Sequence, residues 1–276
     1  MIKTLKLIFV SYWLILFVGW LYIFTQNKEN TDASYLFGAL YALIALAGSL
    51  LGFFYIARGW GGFSSSVGKA VSFLSLGLFG LAFGQLVWSY FNIVAKIEIP
   101  YPSIADFGYF SIVPFYGISM LILTKVGGGK VTLGQARNKL LAVVVPALFL
   151  LGSYLVFLKG IEVDFSNPIR TFLDFGQPLG EAIVISIAIM TWQLSNKLLG
   201  GVMRSKIFFI LFALVFQFIT DFLFYYRNAR GLYANGDVVD LFYSISFTLM
   251  AIALLNLSSQ SFSKKSDEQR SVEEQV

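Results

Sequence analysis

The chain contains no cysteine and no histidine. Without cysteine there are no disulfides, no thiolate metal sites and no cysteine nucleophile. Without histidine there is no histidine-ligated haem, no imidazole-based metal centre and no Ser-His-Asp catalysis. Charge is scarce as well: 13% of the 276 residues are charged, against roughly a quarter in a soluble domain. What takes its place is apolar. Hydrophobic residues make up 57% of the chain and phenylalanine alone contributes 29. A soluble core of this length cannot hide that much apolar surface, but a bilayer can. The net charge of +5 therefore carries no nucleic-acid signal until the positions of the charges are known, and no nucleic-acid partner is expected.

The N-terminal segment has two lysines followed by an apolar run. The run is long and aromatic, and Trp20-Leu-Tyr-Ile-Phe-Thr lacks the small-x-small pattern of a cleaved signal peptide. It reads as a first span. Apolar windows long enough to cross a bilayer fall at about 7–25, 35–57, 70–95, 104–124, 140–158, 178–198, 206–226 and 239–257. The backbone must satisfy itself inside lipid, so each window is a helix. The fold class is an all-α polytopic membrane bundle of about eight transmembrane helices over residues 1–257. A polar tail at 258–276, almost devoid of apolar residues, is expected to be disordered. Pro146 is expected to bend the fifth and shortest span.

The basic residues set the orientation. Fourteen of the twenty fall on one side of these spans, from Lys3 and Lys6 through Lys125, Lys130 and Lys197 to Arg270. That side holds acids only in the tail. The other side has six basic residues against eleven acids. Both termini are therefore expected in the cytoplasm. Gly127-Gly-Gly-Lys130 lacks the spacing and the preceding strand of a phosphate loop and reads as a connector, as does Gly200-Gly201.

Paired in order, the spans form four hairpins opening toward the acidic side. Each returning helix is expected to start near an acid: Asp32, Asp106, Glu181 and Asp240. Pro102 and Pro178 are expected to open two of them. Two readings apply. An acid in a first helical turn caps free N–H groups and complements the helix dipole. Alternatively, several of these acids converge on one outward-facing polar pocket, where burial favours a shared proton, a cation or an amine. Asp221 differs, because it sits at the C-terminal end of its span, where the dipole disfavours an anion. Gln217, Asp221 and Tyr225 share one helix face. The third span carries a polar stripe of Gln85, Ser89, Asn92 and Lys96 beside Trp88. That stripe reads either as interhelical hydrogen bonding or as pocket lining, and Trp88 equally as part of an interfacial belt. Candidate ligand-binding residues are Asp221, Asp106, Glu181, Gln85, Asn92, Trp88, Gln217, Tyr225 and Asp240. Arg170, Lys96 and Arg227 are within reach from the outer loops.

Gly84-Gln-Leu-Val-Trp88-Ser-Tyr90 followed by Pro100-Tyr-Pro-Ser-Ile-Ala-Asp106 resembles the P-S-x-A-D pattern of multi-span sensory regions. Those regions lie N-terminal to some bacterial diguanylate cyclases and histidine kinases. Phe175-Gly-Gln-Pro178-Leu-Gly180-Glu181 is similar to their Tyr-Pro-x-Gly-Asp element, with Gln at 177 and Glu at 181 as departures. Thr220-Asp221-Phe-Leu-Phe-Tyr resembles their following span. The match runs in order from Gly84 to Leu255. It implies a sensory or ligand-binding membrane module in a prokaryotic cytoplasmic membrane. No cyclase or kinase domain follows Leu257, so a separate cytoplasmic output partner is implied. A receptor-like bundle without catalysis or cofactor is the leading expectation, with a small cationic or neutral polar ligand. A proton- or cation-coupled carrier is the alternative. A carboxylate-based membrane enzyme stands further back. The last span has no lysine for a retinal Schiff base.

Overall fold

The computed structural model describes residues 1–126, 136–155, 165–195, 201–228 and 230–259. The Gly127–Lys130 connector, Gly200 and the tail from residue 260 lie outside the described residues, as do residues 156–158 of the fifth expected span. No strand occurs among the described residues, and 85% of them are helical.

The helices are α1 (Ile2–Thr25), α2 (Asp32–Leu51), α3 (Ser66–Tyr90), α4 (Ile104–Phe110), α5 (Ile112–Val126), α6 (Ala136–Ser153), α7 (Pro168–Ser195), α8 (Gly201–Asn228) and α9 (Val238–Asn256). Wider π-helical turns extend α2 through Gly52–Ile56 and α3 through Phe91–Ala95. Helices α4 and α5 together form one apolar rod, Ile104–Val126, and seven rods among the described residues are long and apolar enough to cross a membrane. Their outer faces are apolar. Ile15, Val18, Leu121, Phe208 and Phe212 are all exposed, an arrangement that lipid accepts and water does not. The protein is thus a multi-pass membrane helix bundle.

Two local starts differ from the sequence expectation. Pro102 does not open the fourth span. Helix α4 begins at Ile104 with Ser103 as its N-cap, whose Oγ accepts from Ala105 N at 3.2 Å. Helix α7 begins at Pro168, ten residues before the expected start, and Pro178 lies inside it. Asn167 takes the capping role by accepting from Arg170 N at 3.1 Å. The segment 168–178 was missed because Arg170, Asp174 and Gln177 dilute its hydropathy. Glu181 consequently lies in the middle of a long helix rather than in a first turn. The fifth expected span is described over α6, which contains Pro146 and whose apolar stretch, Val143–Ser153, is shorter than the seven rods.

Helices α2, α3, α5, α7, α8 and α9 close into a ring: each packs on the next, and α9 returns to α2. Helix α1 lies outside against α2 and α9, and α6 lies outside against α7. The ring interior toward the basic loops is filled by Leu74, Leu78, Met120, Ile210 and Leu254, all essentially inaccessible. Small residues allow the closest approach. At the α3–α4 crossing, Gly80 and Gly84 face Gly108 backbone to backbone, the close contact that drives helix association where the hydrophobic effect is absent.

Candidate functional site

At the acidic end of the ring the side chains do not fill the interior. They leave a chamber of about 530 Å³, within the range of small-molecule sites. Its floor is buried and its rim exposed. Asp221 and Asp240, each 3% exposed, contribute to the floor, whereas Tyr101, Arg170, Tyr226 and Arg230 on the rim are exposed. Helix α3 contributes Gln85 and Trp88, α4 contributes Asp106 and Tyr109, and α7 contributes Asp174 and Gln177. Helix α8 adds Asp221, Phe224 and Tyr225, and Tyr233 and Tyr243 complete the wall beside Asp240.

Each floor carboxyl is held by neutral donors. Asp221 accepts from Gln217 Nε2 and from Tyr243 OH, both at 2.8 Å, and Ser246 Oγ donates to Gln217 Oε1 at 2.6 Å. Asp240 accepts from Gly236 N at 2.5 Å and from the Tyr41 and Tyr233 hydroxyls, both at 3.2 Å. Asp106 accepts from Ser103 N at 2.6 Å and Ser103 Oγ at 3.0 Å. Asp106 therefore does both things expected of it: it closes a capping box at the start of α4 and lines the chamber. These bonds orient the carboxyls without neutralising them, unlike a basic partner.

The two ion pairs among the described residues lie nearer the rim. Arg227 Nε meets Asp237 Oδ2 at 3.0 Å, and Arg170 Nε approaches Asp174 Oδ2 at 3.7 Å. Tyr101 OH donates to Asp174 Oδ1 at 2.5 Å. Partial desolvation at the rim, followed by the bond to Asp174, pushes the Tyr101 phenol above its ordinary value. A latch closes the turn beside the chamber: Trp88 Nε1 donates to Asn235 Oδ1 at 2.8 Å, and Asn235 N donates to Asn30 Oδ1 at 2.9 Å.

Of the nine candidate residues, Gln85, Trp88, Asp106, Asp221, Tyr225 and Asp240 line the chamber. Glu181 and Gln217 lie below it, around a void of about 20 Å³ that Asp221 also borders. Glu181 is buried beside Asp221, Gln177 and Tyr225, and its Oε1 has no hydrogen-bond partner. Tyr116 OH, on the same void, has none either. Asn92 is outside the lining. Its Nδ2 donates to Trp88 O at 3.3 Å, and it sits in the π-helical turn, whose extra residue breaks the α-helical register of the stripe. Lys96 is not a lining residue, Arg227 is held by Asp237, and Arg170 stands on the rim.

Tyr109, Tyr233, Tyr243, Asp174 and Arg230 were not singled out from sequence. A signal for two of them existed: Asp106-x-x-Tyr109 and Asp240-x-x-Tyr243 are the same spacing at two helix starts. Their hydroxyls do the same job. Tyr109 OH donates to Gln85 Oε1 at 3.0 Å, as Tyr243 OH does to Asp221. The chain matches no protein-family model, no curated protein and no solved structure.

Proposed function

We propose that the chain is a non-enzymatic, receptor-like membrane protein that binds a small molecule in this chamber and reports through its helices to a separate cytoplasmic partner. In this reading it crosses the membrane eight times, α6 being part of the fifth crossing. Both termini are cytoplasmic and the chamber faces outward. The observation that carries the reading is the chamber itself: ligand-sized, aromatic-walled, with an exposed rim and a buried floor of carboxyls from two adjacent helices. Buried carboxyls are costly within a membrane, roughly 2.5–3.5 kcal/mol at mid-depth on insertion scales, and by default mark function. The charge asymmetry of the loops supports the orientation, and the P-S-x-A-D resemblance supports a sensory role.

A carrier is the second reading. Its support is the ring, in which α2, α3 and α5 are followed by α7, α8 and α9 in the same orientation, as in transporters built from parallel repeats. The absence of cysteine makes the topology directly testable. A Leu232→Cys variant should react with a membrane-impermeant maleimide on intact cells, and Gly128→Cys only after permeabilisation. The reverse pattern overturns the orientation. For function, proteoliposomes should bind small molecules that thermally stabilise the purified protein without accumulating them. Protein-dependent uptake of such a compound would replace the receptor with the carrier.

A further inference from the structure

We infer that the chamber is the meeting point of two structurally equivalent halves, and that the charge difference between them makes it a site for an organic monocation whose ammonium group sits on the Asp221 side. The inference rests on the ligand-binding reading above and narrows it to a chemical class.

The equivalence is visible at several levels. In the first half, α1 lies outside while α2, α3 and α5 form an arc of the ring; in the second, α6 lies outside while α7, α8 and α9 form the other arc. Ser103 and Asp237 are both N-caps, and each accepts from the backbone N–H two residues on, at 3.2 and 2.7 Å. Each is followed at the same intervals by Asp and Tyr: Asp106 and Tyr109 in one half, Asp240 and Tyr243 in the other. Each tyrosine hydroxyl donates to a carbonyl-type oxygen on the preceding long helix, Gln85 in α3 or Asp221 in α8. Three residues beyond each stands a large ring, Trp88 or Phe224, and the two rings meet edge to face with centroids 6.4 Å apart.

Against that equivalence one position changes charge. Where α3 carries the neutral amide Gln85, α8 carries Asp221. The helices packed behind them differ in the same sense. Behind Gln85 lies Gly38, where an added Cβ would stand 3.1 Å from Gln85 Nε2. Beside Asp221 lies Glu181, 5% exposed, with one oxygen unpartnered. One half thus presents a neutral amide and the other two adjoining carboxyls. Neither Asp221, Glu181, Asp240 nor Asp106 takes part in the ion pairs among the described residues. No basic side chain among the described residues offsets the Asp221–Glu181 pair, so either a proton shared between the two carboxyls or the charge of a bound cation does so, and an ammonium group can take the place of that proton.

The walls select the form of that charge. Trp88, Phe224, Tyr225, Tyr233 and Tyr243 surround the floor, and aromatic faces attract organic cations while offering little to a small hydrated metal ion. The Gln85–Tyr109 side has no matching carboxyl within its own pair, so it receives the neutral end of the ligand.

The test compares three probes of one shape on the purified full-length protein, by calorimetry and thermal shift: benzylamine, benzyl alcohol and para-xylylenediamine. Benzylamine should bind about tenfold or more tightly than benzyl alcohol. Asp221→Asn should abolish that advantage. Gln85→Glu, which places a carboxyl at both equivalent positions, should shift preference from the monoamine to the diamine. This gain does not depend on Asp221→Asn folding. Equal binding of amine and alcohol to the wild type would overturn the ligand class while leaving the chamber as a binding site. Unchanged diamine preference in Gln85→Glu would overturn the equivalence of the halves. If none of the probes binds, this inference falls; the binding reading beneath it falls only if no small molecule at all stabilises the purified protein.

Discussion

Substitution of Gly108 by alanine separates two opposite expectations. A Cβ added at Gly108 would lie 2.7 Å from both Gly80 O and Gly84 N, and 2.9 Å from Gly84 Cα. The closest of these is 0.7 Å short of the 3.4 Å at which ordinary contact begins. All three are backbone atoms of α3, so no side chain can rotate away; the helices must part. Overpacking of this kind costs about 1–3 kcal/mol, and a backbone obstacle belongs at the upper end. Working against it is the better helix propensity of alanine, about 1 kcal/mol in water. That gain shrinks in a bilayer, where the separated helices of the reference state are already formed. The net expectation is a loss of about 2–3 kcal/mol. Gly19 is the control: nothing lies within 4 Å of a Cβ there, and Gly19→Ala should be neutral or slightly stabilising. Unfolding titrations in mixed detergent micelles measure both. Gly108 sits between Asp106 and Tyr109, so parting the helices should also loosen the Tyr109–Gln85 bond and weaken any chamber ligand. If Gly108→Ala proves as stable as Gly19→Ala, the close α3–α4 crossing is refuted, and with it the placement of Asp106 and Tyr109.

Tyr243→Phe removes the phenol that donates to the buried Asp221. Hydrogen bonds to charged groups are worth about 1.5–3 kcal/mol in soluble proteins, but membrane measurements average about 0.6 and reach about 1.7. A loss near 1–1.5 kcal/mol in the same titration is expected, and no loss would place Asp221 in contact with water rather than with Tyr243. Trp88→Phe deletes the bond to Asn235 and should speed hydrogen exchange in the 230–237 turn while sparing α9; unchanged exchange would mean that the latch is not formed. The Tyr101 phenol is raised in the folded protein, so the unfolded chain loses this proton first as pH rises beyond about 10. Its contribution to stability is therefore complete below that pH and declines above it, until the folded phenol also ionises. Tyr101→Phe should remove part of the alkaline destabilisation and delete one late step from the ultraviolet titration; a step deleted at the ordinary tyrosine value would contradict the bond to Asp174.

Most of the bundle was legible because lipid imposes one strong rule: an apolar window of about twenty residues must be a helix. The same rule hid the start of α7. Its first turns carry Arg170, Asp174 and Gln177, which belong to the chamber and its rim, so the polarity that builds the site also broke the hydropathy signal. The error moved Glu181 from a first turn to mid-helix. Asp221 stood out in the sequence because an anion at a helix C-terminus has no capping explanation, and it lines the chamber. Asp106 was ambiguous in sequence and is dual in structure, both cap and lining. Asn92 was misplaced because a π-helical turn cannot be read from spacing that assumes 3.6 residues throughout. The Gly80–Gly84–Gly108 contact was invisible for another reason: in an apolar segment glycine scores as one more small residue, and only the crossing reveals which glycines touch.

The ring also suggests which element would carry a signal in the receptor reading. Helix α9 touches the chamber near its N-terminus, through Asp240 and Tyr243. It spans 19 residues, about 28 Å at 1.5 Å per residue, without an internal proline. At the far end Trp60 Nε1 donates to Leu257 O at 2.5 Å, and Lys6 Nζ donates to Asn256 Oδ1. The helix is therefore fixed at both ends to neighbours that differ: carboxyls and tyrosines at one, the α1 and α2 termini at the other. Helix α7, by contrast, carries Pro178 between Gln177 and Glu181, where a missing N–H weakens the rod. An uninterrupted helix transmits a small axial or rotational shift along its length, whereas a helix broken by proline absorbs part of it. In the receptor reading, a ligand that draws Asp221 and Tyr243 together would act directly on α9, and Asn256 and Leu257 at its other end would register that movement.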